Sequence, residues 1–97
     1  MMVLVSYDVS TVNSAGRRRL RQVADICLDY GLRVQNSMFE CIVDPGQWVV
    51  LKNQILRTYK AEEDSIRFYF LGKNWQSRVE HHGIKGVPDL EKDSLII

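Results

Sequence analysis

Residues 2–9 of the chain, MVLVSYDV, open on an uninterrupted apolar run and carry a carboxylate, Asp8, next to their C-terminal end. A carboxylate beside an apolar strand is costly to bury unless it is paired, hydrogen-bonded or metal-bound. Two readings stand for Asp8. It is a ligand for Mg²⁺ or Mn²⁺, hard cations that take oxygen donors and keep several waters, or it accepts backbone hydrogen bonds in the turn that follows. One carboxylate is a thin metal site. A two-fold axis changes the count, because Asp8 and its symmetry mate would then share one ion. Without the ion the two carboxylates repel, one holds its proton more tightly, and they titrate as a pair.

The second group is the run Arg17-Arg18-Arg19-Leu20-Arg21. Arginine at a helix start works against the helix dipole. A cluster there fits phosphate recognition, through bidentate guanidinium contacts supplemented by helix-start amides. A solvated charged face with acidic partners is the competing reading. With Leu20 turned inward, Arg17, Arg18 and Arg21 point outward. A third group, Arg33, Gln35, Asn36, Ser37 and Phe39, lies in an extended segment. Its polar members suit backbone bonding or a metal-bound water, and Phe39 reads as packing ahead of base stacking. Glu62-Glu63-Asp64 reads as a charged surface turn, and Arg67, between Ile66 and Phe68, lies within reach of it and reads as a structural ion-pair partner. His81 and His82 are adjacent, and neighbouring strand residues face opposite ways, so the two do not chelate one ion.

The elements that position these groups are legible from periodicity and caps. Residues 2–9 form a strand with apolar residues on both faces. Asn13 or Ser14 caps a helix over 17–30, with Leu20, Val23, Ala24, Cys27 and Leu28 on one stripe and Gly31 just beyond its end. Residues 33–43 are extended, either as one strand or as two joined by a turn near 35–37. Asp44, Pro45 and Gln47 start a second helix that ends near Lys60. Residues 65–71 form a strand, and 78–82 a short edge strand. The order β-α-β-β-α-β predicts an α+β ferredoxin-like sandwich, with both helices on one face of an antiparallel sheet. The domain spans 1–82, and 83–97 is a tail whose apolar end, Leu95-Ile96-Ile97, suits an additional C-terminal strand on a dimer or partner edge. The second sheet face needs cover, and a symmetric homodimer supplies it.

Composition bounds the rest. The 97 residues carry 13 basic and 12 acidic side chains, for a formal charge of +1, which excludes a generic polybasic binder. An anion site must come from local clustering. Cys27 and Cys41 have no CxxC spacing and read as buried thiols of a reducing compartment. No apolar run approaches a membrane span, and residues 2–5 are too short for a signal-peptide core. The expected location is the cytoplasm, with no membrane partner.

The stretches VLVSYDVS, RRRLRQVADICLDYGLRVQNSMFECIVDPGQW, DSIRFYFLG and VEHHGIKGVPDLEKDSLII together resemble the small CRISPR-associated adaptation nuclease, the endoribonuclease of the second type. VEHHG and the terminal SLII are similar to its type I-C subgroup, whose members are described as cutting double-stranded DNA. The resemblance implies a symmetric homodimer with Mg²⁺ at the axis, held by Asp8 beside a catalytic Tyr7. It implies metal-dependent cleavage of double-stranded DNA or single-stranded RNA, and a place between two dimers of the adaptation integrase during spacer integration. It maps nucleic-acid contacts onto Arg19, Arg21, Arg33 and Phe39. Met38 stands where a Val is more common, and Asp8 shows no departure.

Two function classes follow. As a nuclease, the dimer needs its Asp8 pair close enough to share an ion. As a non-catalytic bridge it needs only basic surfaces that track a duplex backbone, giving salt-sensitive, sequence-independent binding.

Overall fold

Strand β1, Met2–Val9, begins the computed structural model, in which residues 1–10 and 12–83 are described. Its alternation is visible in burial. Val3, Val5 and Tyr7 are buried on one side, while Leu4 and Ser6 are half-buried and Asp8 is exposed on the other. Helix α1, Ser14–Leu28, starts three residues before the expected position. The Asn13 side chain accepts the Gly16 N–H at 2.8 Å and caps it. Leu20, Val23, Ala24 and Cys27 form its buried stripe, and Leu28 is exposed.

The extended segment consists of two strands, β2 (Gly31–Gln35) and β3 (Met38–Ile42). Gly31 does not terminate α1 in a left-handed conformation; it opens β2. A Cβ at Gly31 would lie 1.8 Å from the Glu40 carbonyl oxygen, so the missing side chain lets β2 and β3 close up. Helix α2, Pro45–Thr58, has the expected start. Asp44 accepts the Gln47 N–H at 2.7 Å while the Gln47 side chain accepts the Asp44 N–H at 2.9 Å. Strand β4 follows, Asp64–Gly72.

The sheet order is β2-β3-β1-β4, and every neighbouring pair is antiparallel. This is the ferredoxin-like α+β arrangement. One apolar core joins Val3, Val5 and Tyr7 of β1 and Phe39 and Cys41 of β3 to the inward stripes of both helices, including Leu51 and Ile55 of α2. Trp48 adds edge-to-face contacts with Phe68 and Phe70 at centroid distances of 4.8 and 5.2 Å. Both cysteines are buried free thiols. No helix among the described residues is long and apolar enough to cross a membrane.

The expected edge strand over 78–82 does not form. Gly72 adopts a φ of +80° and turns the chain away from the sheet. Residues Trp75–Arg78 then coil as a 3-10 helix, with the Ser77 N–H and hydroxyl both donating to the Asn74 carbonyl. The additional C-terminal strand falls in a segment of which 84–97 lie outside the described residues.

Candidate functional site

Asp8 is the penultimate residue of β1, opposite Ser65 of β4, on the sheet face away from the helices. Its carboxylate is exposed. On the same face its strand neighbours are Ser6 and Leu4. Across the pairs lie Arg67 and Tyr69 of β4 and Met38, Glu40 and Ile42 of β3. This second face is mixed in character, with half-buried Leu4, Met38 and Ile42 among polar groups. Burial raises the Glu40 carboxyl above its usual range, and the charge of His81 partly offsets the rise. Arg67 does not reach the acidic turn. One of its guanidinium nitrogens donates to the Tyr69 hydroxyl at 3.3 Å, because strand alternation sets both on this face.

Tyr7 is placed differently from its expected catalytic role. It is 1% exposed and points into the core, so it and Asp8 leave β1 from opposite faces. Its hydroxyl donates to Oδ2 of Asp64. Asp64, expected on a solvated acidic turn, has a fully buried side chain at the start of β4. Arg19 Nε donates to Oδ2 at 2.8 Å, Arg19 Nη2 to Oδ1 at 3.0 Å, and the Lys60 N–H to Oδ2 at 3.0 Å. Arg19 also meets Glu63 at 3.4 Å, and Lys60 pairs with Glu63 at 2.8 Å.

The electrostatics of this cluster are consistent among themselves. Burial alone would raise the Asp64 carboxyl, but hydrogen bonds from Arg19, Tyr7 and the Lys60 backbone outweigh it and hold the group below the usual carboxylate range. Burial, reinforced by the Asp64 charge, drives the Tyr7 phenol upward, so it keeps its proton at neutral pH. The Asp64 hydrogen bond pushes the Arg19 guanidinium upward. Arg19 is therefore a structural cation; its expected contact with nucleic acid gives way to the ion pair inside the fold.

The remaining arginines of the two candidate groups are on the surface. Arg17, Arg18 and Arg21 are exposed on α1, as their spacing against buried Leu20 requires. Arg18 and Arg21 are three apart and share a face. Arg33 is exposed on β2; its Nε donates to the Asn36 carbonyl at 2.8 Å and its guanidinium lies 5.4 Å from the Phe39 ring centre. Phe39 is fully buried in the core, so it supports Arg33 from below and offers no stacking surface to a base. The β2–β3 turn is tied to the site strand, because the Tyr7 N–H donates to the Ser37 carbonyl at 2.9 Å. Gly16 ties α1 to it as well, since a Cβ there would fall 1.7 Å from the Ser10 carbonyl oxygen. The N-terminus of α1, the β2–β3 turn and Asp8 thus gather at one end of the sheet.

A hard cation such as Mg²⁺ accepts one or two carboxylates plus waters. Asp8 offers one exposed carboxylate, and no group of three His, Cys, Asp or Glu side chains able to hold a metal occurs among the described residues. The donor set fits the ion when a second copy contributes its own Asp8. His81 and His82 are exposed, and His82 pairs with Glu80, so they do not extend the set. Sequence reasoning missed Asp64 and Gly16. Period-two alternation from buried Val3 and Val5 was the available signal that Tyr7 faces the core.

Comparison with known proteins gives a consistent answer. The family described as CRISPR associated protein Cas2 matches residues 1–79. A Chlorobaculum tepidum protein named CRISPR-associated endoribonuclease Cas2 is 59% identical over 91 residues, covering 94% of this chain and 95% of its own. A Halalkalibacterium halodurans protein named CRISPR-associated endonuclease Cas2 is 51% identical over 96 residues, covering 99% of each. The crystal structure of Streptococcus pyogenes Cas2 at pH 6.5 superposes with a TM-score of 0.79 at 59% identity, over 86% of this chain and 100% of that one.

Proposed function

This chain belongs to the CRISPR-associated protein Cas2 family, and we propose that it is a metal-dependent endonuclease of CRISPR adaptive immunity. In this reading it acts as a symmetric homodimer, cuts double-stranded DNA or single-stranded RNA, and takes part in acquiring and integrating new spacers beside the adaptation integrase. The observation that carries the reading is the exposed Asp8 carboxylate at the end of β1, on the sheet face that the helices leave to a second copy. The names of the two relatives, one an endoribonuclease and one an endonuclease, support nuclease chemistry. The likeness of VEHHG and SLII to the type I-C subgroup favours double-stranded DNA.

Asp8 from each copy would hold Mg²⁺, or Mn²⁺ in its place. Such an ion would supply an acidified water and positive charge for the developing phosphate charge. The chain's own residues do the rest. Exposed Arg17, Arg18, Arg21 and Arg33 lie at the end of the sheet that carries Asp8 and hold flanking phosphates. Tyr7 and Arg19 do not touch the substrate; they are spent on Asp64.

A non-catalytic bridge for the integrase is the second reading. It is favoured by one specific observation: no group of three His, Cys, Asp or Glu side chains able to hold a metal occurs among the described residues, whereas exposed Arg18, Arg21 and Arg33 provide basic surface within one chain. The test is paired. Asp8→Asn is assayed for cleavage with Mg²⁺, with a chelator control, and for spacer acquisition in cells. Loss of cleavage with an unchanged melting curve is expected. Full metal-dependent cleavage by Asp8→Asn overturns the nuclease reading, and lost cleavage with retained acquisition assigns the biological role to bridging.

A further inference from the structure

The site carboxylate sits where a strand is least secure. Asp8↔Ser65 and Val9↔Asp64 are the last two pairs of the β1–β4 ladder, and ladder ends open at low free-energy cost. An exposed side chain there has no packing of its own to fix it.

On the opposite face, directly beneath this end, lies the one buried carboxylate among the described residues, Asp64. It engages β1 on both sides of Asp8. The residue before, Tyr7, donates its hydroxyl to Asp64; the residue after, Val9, is paired with Asp64 across the ladder. Asp64 also draws in α1 through two Arg19 nitrogens and the α2–β4 turn through the Lys60 N–H. Three elements therefore meet at a point flanking Asp8. Stability alone does not account for it. A buried ion pair gives little net stabilisation over an apolar replacement of the same shape, and the apolar core around it is already continuous.

We infer that Asp64 is a positioning residue for Asp8: with Tyr7 and Arg19 it forms a clasp that holds the end of β1 in register and so fixes the carboxylate presented to the second copy and its ion. This rests on Asp8 being the metal-holding residue. It gives Tyr7 and Arg19 a shared role that needs no contact with substrate. The clasp acts through the backbone, since Asp64 and Asp8 occupy opposite faces of the sheet.

The test uses Tyr7→Phe in the full-length homodimer. This variant keeps the ring in the core and removes only the hydroxyl, so it folds, whereas Asp64→Ala strips Arg19 of its buried counter-ion. Two readouts are taken with no nucleic acid present. The first is amide hydrogen exchange at residues 8–10 in metal-free protein. Loss of a hydrogen bond to a charged acceptor predicts acceleration of about tenfold there, with little change in β2. The second is titration with Mn²⁺ alone, followed by paramagnetic resonance, which should show several-fold weaker binding. A lower melting temperature with unchanged exchange at 8–10 overturns the clasp. Faster exchange with unchanged Mn²⁺ affinity overturns its action on the site. Wild-type protein that binds no Mn²⁺, or binds it equally as Asp8→Asn, refutes the metal reading of Asp8 instead, and the exchange data still decide the clasp.

Discussion

Replacing Asp64 with Asn gives the sharpest prediction about how this fold is held at its functional end. The carboxylate accepts four hydrogen bonds, from the Tyr7 hydroxyl, two Arg19 nitrogens and the Lys60 N–H, and its side chain is fully buried. An amide has one acceptor oxygen and turns an NH₂ donor toward groups that themselves donate. The Arg19 charge then loses its buried counter-ion. Breaking one partner of a buried pair costs about 3–5 kcal/mol. A domain of 97 residues has roughly 5–15 kcal/mol in total. The variant should therefore melt about 10 °C lower or more at neutral pH. Acid supplies the internal control. The native Asp64 carboxyl is held below its ordinary value of 3.8, so the folded state binds fewer protons than the unfolded one near that pH. Its stabilising contribution is complete above the unfolded value and is lost as pH falls through the folded one. Urea unfolding from pH 7 to pH 3 should show a gap between wild type and Asp64→Asn that is constant above about pH 5 and narrows below it. A gap under about 1 kcal/mol at pH 7, or one that does not shrink in acid, would refute the account of Asp64 as a buried, ionised acceptor.

The surface and core assignments are tested separately. Arg18→Ala with Arg21→Ala should leave the melting temperature unchanged and reduce the salt slope of duplex binding by about two, one for each phosphate no longer neutralised; an unchanged slope removes this face of α1 from the interface. Phe39→Ala should destabilise the protein by about 3–5 kcal/mol, and binding measured below its melting transition should retain the wild-type preference among bases. Loss of binding without loss of stability would return Phe39 to a stacking role.

Local signals carried most of the architecture. The Asp44-Pro45-Gln47 start of α2 and the buried stripe of α1 depend on neighbours three and four residues away; the start appears as expected, and so does the stripe up to Cys27, with Leu28 left exposed at the helix end. The alternation of β3, with Phe39 and Cys41 inward, is likewise local. What escaped was set by distant chain. Asp64 follows two glutamates in what reads as a solvated acidic run, and its partners Arg19 and Tyr7 are 45 and 57 residues away. Gly31 reads as a helix end and Gly16 carries no signal of its own, yet each marks a place where another backbone comes too near for a Cβ. The strand expected over 78–82 failed for a local reason the pattern hid: a left-handed Gly72 and the Asn74–Ser77 bonds coil the segment before it can pair. At the candidate site, the exposed position of Asp8 was legible because a charge after an apolar run is conspicuous. The place of Tyr7 was not, because the family resemblance pairs it with Asp8, whereas consecutive strand residues face opposite ways.

That opposition bears on how the carboxylate and the arginines are arranged in this molecule. Asp8 leaves the sheet on the face away from the helices; Arg18 and Arg21 project from α1, in the layer behind it; Arg33 rests on Phe39 at the rim. One chain thus presents its carboxylate and its helix arginines on different layers of the same end, linked through Tyr7, Asp64 and Arg19 between them. A phosphate backbone gripped by the helix arginines of one copy is therefore not placed over that copy's own Asp8 by proximity alone. With Asp8 as a proposed shared metal ligand, the arrangement of the two copies decides whether a bound strand crosses the carboxylate pair. Binding and cleavage then become separable properties of one surface. Substitutions on α1 should change how tightly duplex is held at a given salt concentration while leaving the chemistry of bound substrate intact. Substitution of Asp8 should do the reverse. The clasp at Asp64 is the one position from which both should be disturbed, because it joins the helix that carries the arginines to the strand that carries Asp8.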